Sequence, residues 1–318
     1  MQSVYMIEPN AAHPVEALRR GDRPLSDRPT GWTTVAVKAA SLNRHDLFAL
    51  GGVGPAMNNL PMILGSDAAG VDENGRAVLV YPVVEDRDGW SLLSERHQGT
   101  FAEYVHVPEA NLVPIPEGMS VEEAACLPTA WLTAYKMLFT RARVEAGDTV
   151  LIQGASGGLS TALIMLATAA GARVWVTGTN ERKKAFATSL GADEVFDVDS
   201  PLPDGVDHVM DSVGAATWAH SVASLKPGGT MVIPGATSGF EAKVDLLWIF
   251  AKQLSILGSS LGSANELAAL VNFCVTHGVR PPIHDTFTLD DAPAAFRAMA
   301  DGTALGKLVL VPGAGRAG

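Results

Sequence analysis

Residues 149–166, TVLIQGASGGLSTALIML, decide the fold, because an apolar run, a glycine-rich turn and a second apolar run follow one another. The first run predicts a buried strand and the longer second run predicts a helix. A nucleotide pyrophosphate needs this arrangement: a tight turn, close backbone approach and a helix N-terminus directed at its charge. Ala155 and Ser160 replace the outer glycines of the strict G-x-G-x-x-G pattern, yet the setting favours nucleotide binding over a purely structural turn. The residues expected to contact the nucleotide are Gly154, Ala155, Ser156, Gly157, Gly158 and Leu159.

The end of the next strand, within VTGTNERKK (176–184), predicts which nucleotide binds. An NAD site usually has an Asp or Glu about 20 residues after the glycines, bonded to the ribose 2′-hydroxyl. No carboxylate stands at this strand end, and the arginine and lysine that follow offer charge-assisted donors to a 2′-phosphate. We therefore predict NADPH rather than NADH, the alternative being that these residues form a solvated helix face. The predicted contacts are Thr177, Thr179, Asn180, Arg182 and Lys183.

A similar loop, TGASGG, opens the short-chain dehydrogenases, which also have a Tyr-x-x-x-Lys pair downstream. In this chain the loop begins near residue 154, and no tyrosine is followed by a lysine four positions later. The tyrosines are Tyr5, Tyr81, Tyr104 and Tyr135. The short-chain interpretation is therefore rejected.

Composition excludes several other classes of protein. The 318 residues include 23 Lys and Arg against 34 Asp and Glu, a net charge of −11, so a broad nucleic-acid-binding face is not expected. Cys126 and Cys274 lie far apart, which argues against a cysteine-rich zinc site and for a reducing compartment. The N-terminus does not resemble a signal peptide, and the most apolar segment, residues 161–170, is too short to span a bilayer. We expect a soluble, cytoplasmic protein with a small-molecule substrate and neither a nucleic-acid nor a membrane partner.

The chain changes character along its length. Residues 1–119 are β-rich, with short alternating runs separated by Gly, Pro, Asn and Asp. Residues 120–256 alternate strands and helices, which is typical of a doubly wound parallel sheet. Residues 257–318 contain a strand–helix–strand tail, which we assign back to the first domain.

Taken together, the motifs LNRHDLFALGG, PMILGSDAAG, GTFAEYVHVP, GDTVLIQGASGG, LKPGGTMVIPGATSG and GKLVLVP resemble the medium-chain dehydrogenases/reductases, in the zinc-independent, quinone-oxidoreductase-like branch. The resemblance covers nearly the whole chain. It implies an α/β protein in which a GroES-like, β-rich catalytic domain is split around a Rossmann domain, with the active site in the cleft between them. It also implies a homodimer joined through the Rossmann sheets, near QLSILGSS (253–260).

Further cofactor contacts follow from the same resemblance. Arg44 matches a position that reaches the cofactor pyrophosphate in zinc-dependent relatives, and the GSSLGS segment (258–263) resembles the stretch that passes the nicotinamide. An ordinary turn is the alternative for that segment. The additional cofactor residues implied in this way are Arg44, Thr133, Gly235, Gly258, Ser259 and Ser260.

The zinc ligands of those relatives correspond here to Asn43, Ser66 and, by a looser alignment, Thr129. A stable zinc site needs thiolate, imidazole or carboxylate ligands, so no metal is expected. The structural zinc loop is also missing, because PVVEDRDGWSLLSERHQGTF (82–101) contains no cysteine.

The stretch SLNRHDLF (41–48) supplies the candidate catalytic residues Asn43, His45 and Asp46. His45 stands where zinc-dependent relatives have a proton-relaying hydroxyl, and an imidazole there could donate to a developing oxyanion near neutral pH. Asn43 could hydrogen-bond the substrate carbonyl and Asp46 could orient the loop. The alternatives are a surface or supporting role for His45 and a structural role for Asp46. Phe48 occupies a position where several quinone reductases have tyrosine, which weakens direct transfer of their chemistry.

The sequence thus predicts an NADPH-dependent, metal-free oxidoreductase that transfers hydride to a quinone or an α,β-unsaturated carbonyl. Two alternatives stay open: an alcohol dehydrogenase or carbonyl reductase, and an NADPH-binding sensor of low turnover.

Overall fold

The computed structural model describes residues 1–54 and 58–313. The chain divides into two compact units. The first unit comprises Met1–Thr129 and the chain from Arg280 onward, and the second unit comprises Ala130–Val279. Strands and helices are numbered below in chain order.

The second unit is built on a six-stranded parallel sheet. Its strands are β11 (Thr149–Gln153), β12 (Arg173–Gly178), β13 (Glu194–Asp197), β14 (Val206–Asp211), β15 (Leu225–Ile233) and β16 (Ser255–Gly258). Their spatial order, β13-β12-β11-β14-β15-β16, is the order of a dinucleotide-binding sheet with its reversal between β11 and β14. The predicted Rossmann fold is therefore confirmed. All five residues of β11 are buried, as expected for a central strand covered on both faces.

The helices of this unit are α3 (Leu132–Tyr135), α4 (Gly158–Ala169), α5 (Glu181–Ser189), α6 (Trp218–Ser224), α7 (Leu246–Ala251) and α8 (Ala264–His277). The sequence suggests one long helical stretch from residue 121 to residue 139, but the structure divides it. After α2 (Val121–Ala125), wide π-helical turns at Leu127–Trp131 and Lys136–Ala142 flank α3. Pro128 lies in the first of these turns, where its missing N–H prevents a regular α-helical ladder.

The first unit is β-rich. Its strands are β1 (Gln2–Met6), β2 (Leu18–Asp22), β3 (Trp32–Ser41), β4 (Met62–Ile63), β5 (Ala69–Asp72), β6 (Ala77–Val80), β7 (Val83–Asp86), β8 (Gly89–Leu92), β9 (Tyr104–Pro108), β10 (Leu112–Pro114), β17 (Ile283–Thr288) and β18 (Lys307–Val311). The largest sheet has the order β10-β6-β5-β3-β18-β17, with β9 also paired to β3. The predicted strand–helix–strand tail, β17, α9 (Ala292–Ala300) and β18, is present, and β18 pairs with β3 in this unit.

The core of the first unit lies between this sheet and the helices α1 (Arg44–Leu50) and α9. The fully buried rings of Phe101 and Phe296 meet edge to face at 6.1 Å within it. β3 leads directly into α1, so the core that fixes the strand also fixes the first turn of this helix.

The boundaries of the second unit differ from those inferred from the sequence. It begins at Ala130 rather than 120, because α2 packs against β3, β5 and β6 of the first unit. It extends to Val279 rather than 256, because β16 pairs with β15 as the sixth strand and α8 packs against α3. Within the described residues, no helix has the length and apolarity needed to cross a membrane.

Candidate active site

Helix α1 begins where β3 ends, and its first turn is fixed by Asp46. One carboxylate oxygen of Asp46 accepts the backbone N–H of Asn43 at 2.8 Å, and the other accepts that of Gly65 at 3.1 Å. The side chain is fully buried. Burial raises the pKa of Asp46 to about 6, although the charge of His45 and the Asn43 N–H act in the opposite direction.

A buried network of polar groups surrounds Asn43. The Lys307 ammonium, 2% exposed at the start of β18, donates to the Asn43 Oδ1 and to the Leu42 carbonyl oxygen, both at 2.8 Å. The Asn43 Nδ2 donates to Asp67 Oδ2 at 2.8 Å, and that oxygen also accepts the hydroxyl of Ser41 at 2.8 Å. Lys307 Nζ lies 3.5 Å from the same carboxylate oxygen. Both ends of the Asn43 amide are therefore engaged by charged side chains.

The imidazole of His45 is oriented by a residue from a different segment. Its Nε2 lies 3.0 Å from Glu95 Oε1, and its Nδ1 is buried without a hydrogen-bond partner in the described residues. Burial opposes protonation, but the hydrogen bond to Glu95 and the negative charges of Asp46, Glu95 and Asp67 outweigh it, so the pKa of His45 is raised. Arg44, the first residue of α1, is exposed.

The glycine loop of the second unit has the backbone that its sequence predicts. Gly154 has a φ of +95°, which favours glycine, and a Cβ there would stand 3.3 Å from Ser160 Oγ. Gly157 is the N-cap of α4, no side chain caps this helix end, and open space surrounds its Cβ direction. The first-turn N–H groups of α4 are therefore available to an anion.

Thr177, at the end of β12, fixes the start of the glycine loop through hydrogen bonds of its side chain. Its buried hydroxyl donates to Gln153 Oε1 at 2.7 Å and accepts the Gly154 N–H at 3.3 Å. Beyond it, Thr179 is exposed, and Asn180 caps α5 by accepting the Lys183 N–H at 3.0 Å.

The other predicted cofactor residues of this unit lie mainly at the same sheet edge. Gly235 follows β15 and Gly258 ends β16, and open space surrounds the Cβ direction of both. The Ser259 N–H donates to the Ile233 carbonyl at 2.9 Å, which ties β16 to β15, whereas Ser260 is exposed. Since the strands are parallel, their carboxyl ends lie at one edge of the sheet, and this edge brings together the glycine loop, residues 177–183, Gly235 and residues 258–260. Thr133 lies instead on α3.

Comparisons with known proteins cover both units. Residues 29–117 match the model of the alcohol dehydrogenase GroES-like domain, and residues 158–276 match that of the zinc-binding dehydrogenases. A zinc-type alcohol dehydrogenase-like protein of Schizosaccharomyces pombe is 31% identical over 314 residues, covering 88% of this chain and 90% of that protein. The quinone oxidoreductase of Mus musculus is 28% identical over 297 residues, covering 87% and 88%. The crystal structure of an NAD-dependent alcohol dehydrogenase matches with a TM-score of 0.91 at 32% identity, covering 98% of this chain and 100% of that one.

The chain belongs to the medium-chain dehydrogenase/reductase superfamily, in its quinone-oxidoreductase-like branch. As an oxidoreductase of this superfamily it uses a nicotinamide cofactor. The residues at the carboxyl edge of the Rossmann sheet fit such a cofactor, since the uncapped start of α4 and the open space beside Gly157, Gly235 and Gly258 suit a nucleotide backbone.

The three residues that the family resemblance aligns with zinc ligands, Asn43, Ser66 and Thr129, lie together in the structure. Asn43 Nδ2 lies 3.5 Å from Ser66 Oγ, which lies 3.1 Å from Thr129 Oγ1. An amide and two hydroxyls are a poor donor set for zinc. Cys126 offers no substitute, because burial raises the pKa of its thiol to about 12. Among residues 1–54 and 58–313, no three His, Cys, Asp or Glu side chains are grouped to hold a metal ion.

Three residues at these sites were missed by sequence reasoning: Lys307, Glu95 and Gln153. Lys307 gives a weak signal, as a charged residue that opens the apolar run LVLV of a strand. Gln153 gives a similar one, as a polar end to the buried strand VLI. Glu95 gives none, since it lies in an irregular loop and meets His45 across 50 positions of sequence.

Proposed function

We propose that this protein is an NADPH-dependent reductase that transfers hydride to a quinone or an α,β-unsaturated carbonyl without a metal. The observation on which this rests is the cluster of Asn43, Ser66 and Thr129, in which an amide and two hydroxyls occupy the positions that the family resemblance aligns with zinc ligands. The similarity to a quinone oxidoreductase over most of both chains supports the same acceptor class.

Conjugated acceptors suit a site of this composition. Hydride addition to the β-carbon of an enone produces an enolate, and two-electron reduction of a quinone produces a phenolate; the negative charge is delocalised in both anions. Hydrogen-bond donors can stabilise such an anion, whereas the localised alkoxide from a saturated carbonyl gains more from a Lewis acid. The buried Lys307 ammonium adds a fixed positive charge next to Asn43.

The bound cofactor supplies the hydride from its nicotinamide ring. In the proposed mechanism His45 supplies the proton that completes reduction. Asn43 and Asp46 act as positioning residues, because the amide of Asn43 is held by Lys307 and Asp67 and the carboxylate of Asp46 is held by two backbone N–H groups. Together they fix the first turn of α1, from which His45 projects.

The preference for NADPH is supported by the residues that follow β12. Thr179 and Arg182 are exposed there, and no Asp or Glu ends the strand. Glu181, the first residue of α5, lies 2.6 Å from Lys184 Nζ, an ammonium that it shares with Asp197 at 2.7 Å. We expect Arg182→Ala to weaken NADPH binding more than NADH binding, as measured by fluorescence titration. Equal losses for both cofactors would contradict the assignment.

We further propose a homodimer that forms through the second unit. Its outer strand β16 pairs on one side only, with β15, within the described chain. Leu246, Leu247 and Phe250 of the neighbouring helix α7 are each at least 60% exposed. An unpaired edge strand and a group of exposed apolar side chains are both features that monomeric proteins generally avoid.

A second candidate is an alcohol dehydrogenase or carbonyl reductase, favoured by the match to the NAD-dependent alcohol dehydrogenase. Cofactor consumption with four acceptors of similar size separates the two candidates: a quinone, an enone, and the corresponding saturated ketone and aldehyde. The proposal predicts turnover of the first two only. Turnover of the saturated carbonyls would favour the second candidate.

A further inference from the structure

Glu95 lies outside the residues assigned so far, yet it makes the only hydrogen bond to the His45 ring within the described residues. We infer that Glu95 is a positioning residue, which fixes the imidazole through Nε2, so that Nδ1 is the nitrogen that donates to the reduced substrate. The role of Glu95 in proton donation to substrate rests on the proposed function, whereas the hydrogen bond between Glu95 and His45 does not.

The carboxylate of Glu95 is itself anchored. Its Oε1 lies 3.0 Å from His45 Nε2, while its Oε2 accepts the N–H of Leu92, the last residue of β8, at 2.8 Å. The side chain of Glu95 is 11% exposed and that of His45 is 25% exposed. A partly buried carboxylate held at both oxygens sets the orientation of the imidazole more firmly than a solvated one could.

The remaining nitrogen of His45, Nδ1, is the one that the proposal leaves for the substrate. Nδ1 is shielded from solvent and has no partner in the described chain, and buried polar atoms in this condition are rare because they cost free energy. The oxygen or carbanion of a reduced enone would provide the missing partner. Since Nε2 is already bonded to Glu95, donation from Nδ1 requires no rotation of the ring.

The charges around the ring favour the imidazolium form. Asp46 lies on the same helix, Glu95 comes from the loop after β8 and Asp67 from the segment before β5; all three carboxylates raise the pKa of His45, against the effect of burial. The pKa of Glu95 is lowered, despite its burial, by the hydrogen bond from His45. The two shifts agree in direction, as expected for an ion pair.

The proton transfer balances without a further reagent. A bound nicotinamide cofactor would supply the hydride that converts the enone to an enolate and would itself be left oxidised. The Nδ1–H bond of His45 breaks and a C–H or O–H bond forms on the product. The neutral ring keeps its Nε2–H on Glu95, and a proton taken up from water as the product leaves restores the imidazolium.

The test is an NMR titration of ¹⁵N-histidine-labelled protein without cofactor or substrate, with the His45 signals assigned from their loss in His45→Gln. In Glu95→Gln we expect the pKa of His45 to fall by about one pH unit, a roughly tenfold loss of proton affinity. The matched control is Glu73→Gln, which changes the net charge equally and removes a carboxylate paired with Arg28. It should leave the pKa of His45 unchanged.

A second variant separates the effect of the negative charge at residue 95 from the effect of the position of that charge. Glu95→Asp keeps the carboxylate but retracts it, so it should retain more of the raised pKa than Glu95→Gln does. An unchanged pKa of His45 in both folded variants would overturn the inference. In enone reduction, the pH at which kcat declines on the alkaline side should be lower for Glu95→Gln than for the wild type. An unchanged pH of decline would also count against the inference. If the NMR pKa moves but the wild type reduces neither enone nor quinone, the proposed function fails and the His45–Glu95 pair stands.

Discussion

Lys307 illustrates how a single buried charge can be tolerated. Its ammonium donates to two oxygens and lies near a carboxylate, so its desolvation is offset by a complete set of partners. Removal of the ammonium would leave the Asp67 charge and the Asn43 Oδ1 buried without it. We therefore expect this network to increase the free energy of unfolding, in addition to positioning the side chain of Asn43.

We predict that Lys307→Met lowers the free energy of unfolding by about 3–5 kcal/mol, the usual effect of breaking a buried ion pair from one side. The measurement is a denaturant titration, with Lys38→Met on the exposed face of β3 as the control. The control should change stability by less than about 0.5 kcal/mol. Equal effects of the two substitutions would show that the network does not stabilise the fold.

A second prediction concerns His45. His45→Ala should lower kcat for enone reduction by about 10²-fold or more, the range for loss of a general acid, while NADPH affinity stays the same. Steady-state kinetics and a cofactor titration measure the two effects. His13→Ala, at an exposed histidine of the same unit, is the control and should change neither. Unchanged turnover in His45→Ala would remove this residue from the mechanism.

Individual contacts were the least predictable part of the site. The importance of SLNRHDLF could be inferred from its residue types, but its partners could not, because Asn43 meets Lys307 across 264 positions and His45 meets Glu95 across 50. No local pattern encodes such contacts; they depend on how β18 pairs with β3 and how the loop after β8 folds back.

The burial of Asp46 in the first turn of α1 makes the stability of the fold depend on pH. The pKa of Asp46 in the folded state is about 6, above its ordinary value of 3.8. The contribution of Asp46 to the free energy of unfolding is therefore fully present below about pH 4 and is lost as the pH rises through about 6. The raised pKa corresponds to a loss of about 3 kcal/mol across this window.

Asp46→Asn should accordingly flatten the decline of unfolding free energy between pH 4 and pH 7, measured by denaturant titration at several pH values. Asp27→Asn, at an exposed aspartate, makes the same change in net charge and should preserve the wild-type slope. If Asp46→Asn also preserves it, Asp46 is not the group that titrates.

Elements with a clear period were predictable and those with mixed signals were not. The strand, glycine turn and helix at 149–166 follow from an apolar run and backbone-permissive glycines, and the structure contains them as β11, the loop and α4. The stretch from 121 to 139 is apolar enough for one helix, yet Pro128 divides it into α2, π-helical turns and α3. The pattern of apolar residues in a sequence indicates a helix but does not show whether a given turn is α-helical or π-helical.

The order of the strands follows from rules that act on the whole molecule. Successive βα units with right-handed crossovers leave few arrangements for a parallel sheet, and the observed order is one of them. The ends of the second unit were harder to predict, because α8 resembles any amphipathic helix until its packing against α3 is known.

Assembly gives the next prediction. If two copies pair through β16 and α7, Leu246→Asp combined with Phe250→Asp should shift the protein from dimer to monomer in analytical ultracentrifugation, because charged residues would replace apolar contact surface. Val275→Asp, at an exposed position on α8, should leave the dimer intact. A wild-type monomer, or a dimer insensitive to the α7 substitutions, would contradict the proposed interface.

Conjugate reduction without a metal is tested most directly by the fate of the transferred hydride. Wild-type protein would be supplied with a cyclic enone and NADPH deuterated at the nicotinamide C4, and the product examined by NMR and mass spectrometry. The proposed function predicts a saturated ketone with deuterium on the β-carbon and solvent hydrogen on the α-carbon. An allylic alcohol with deuterium on the carbonyl carbon would contradict it and would identify a carbonyl reductase instead.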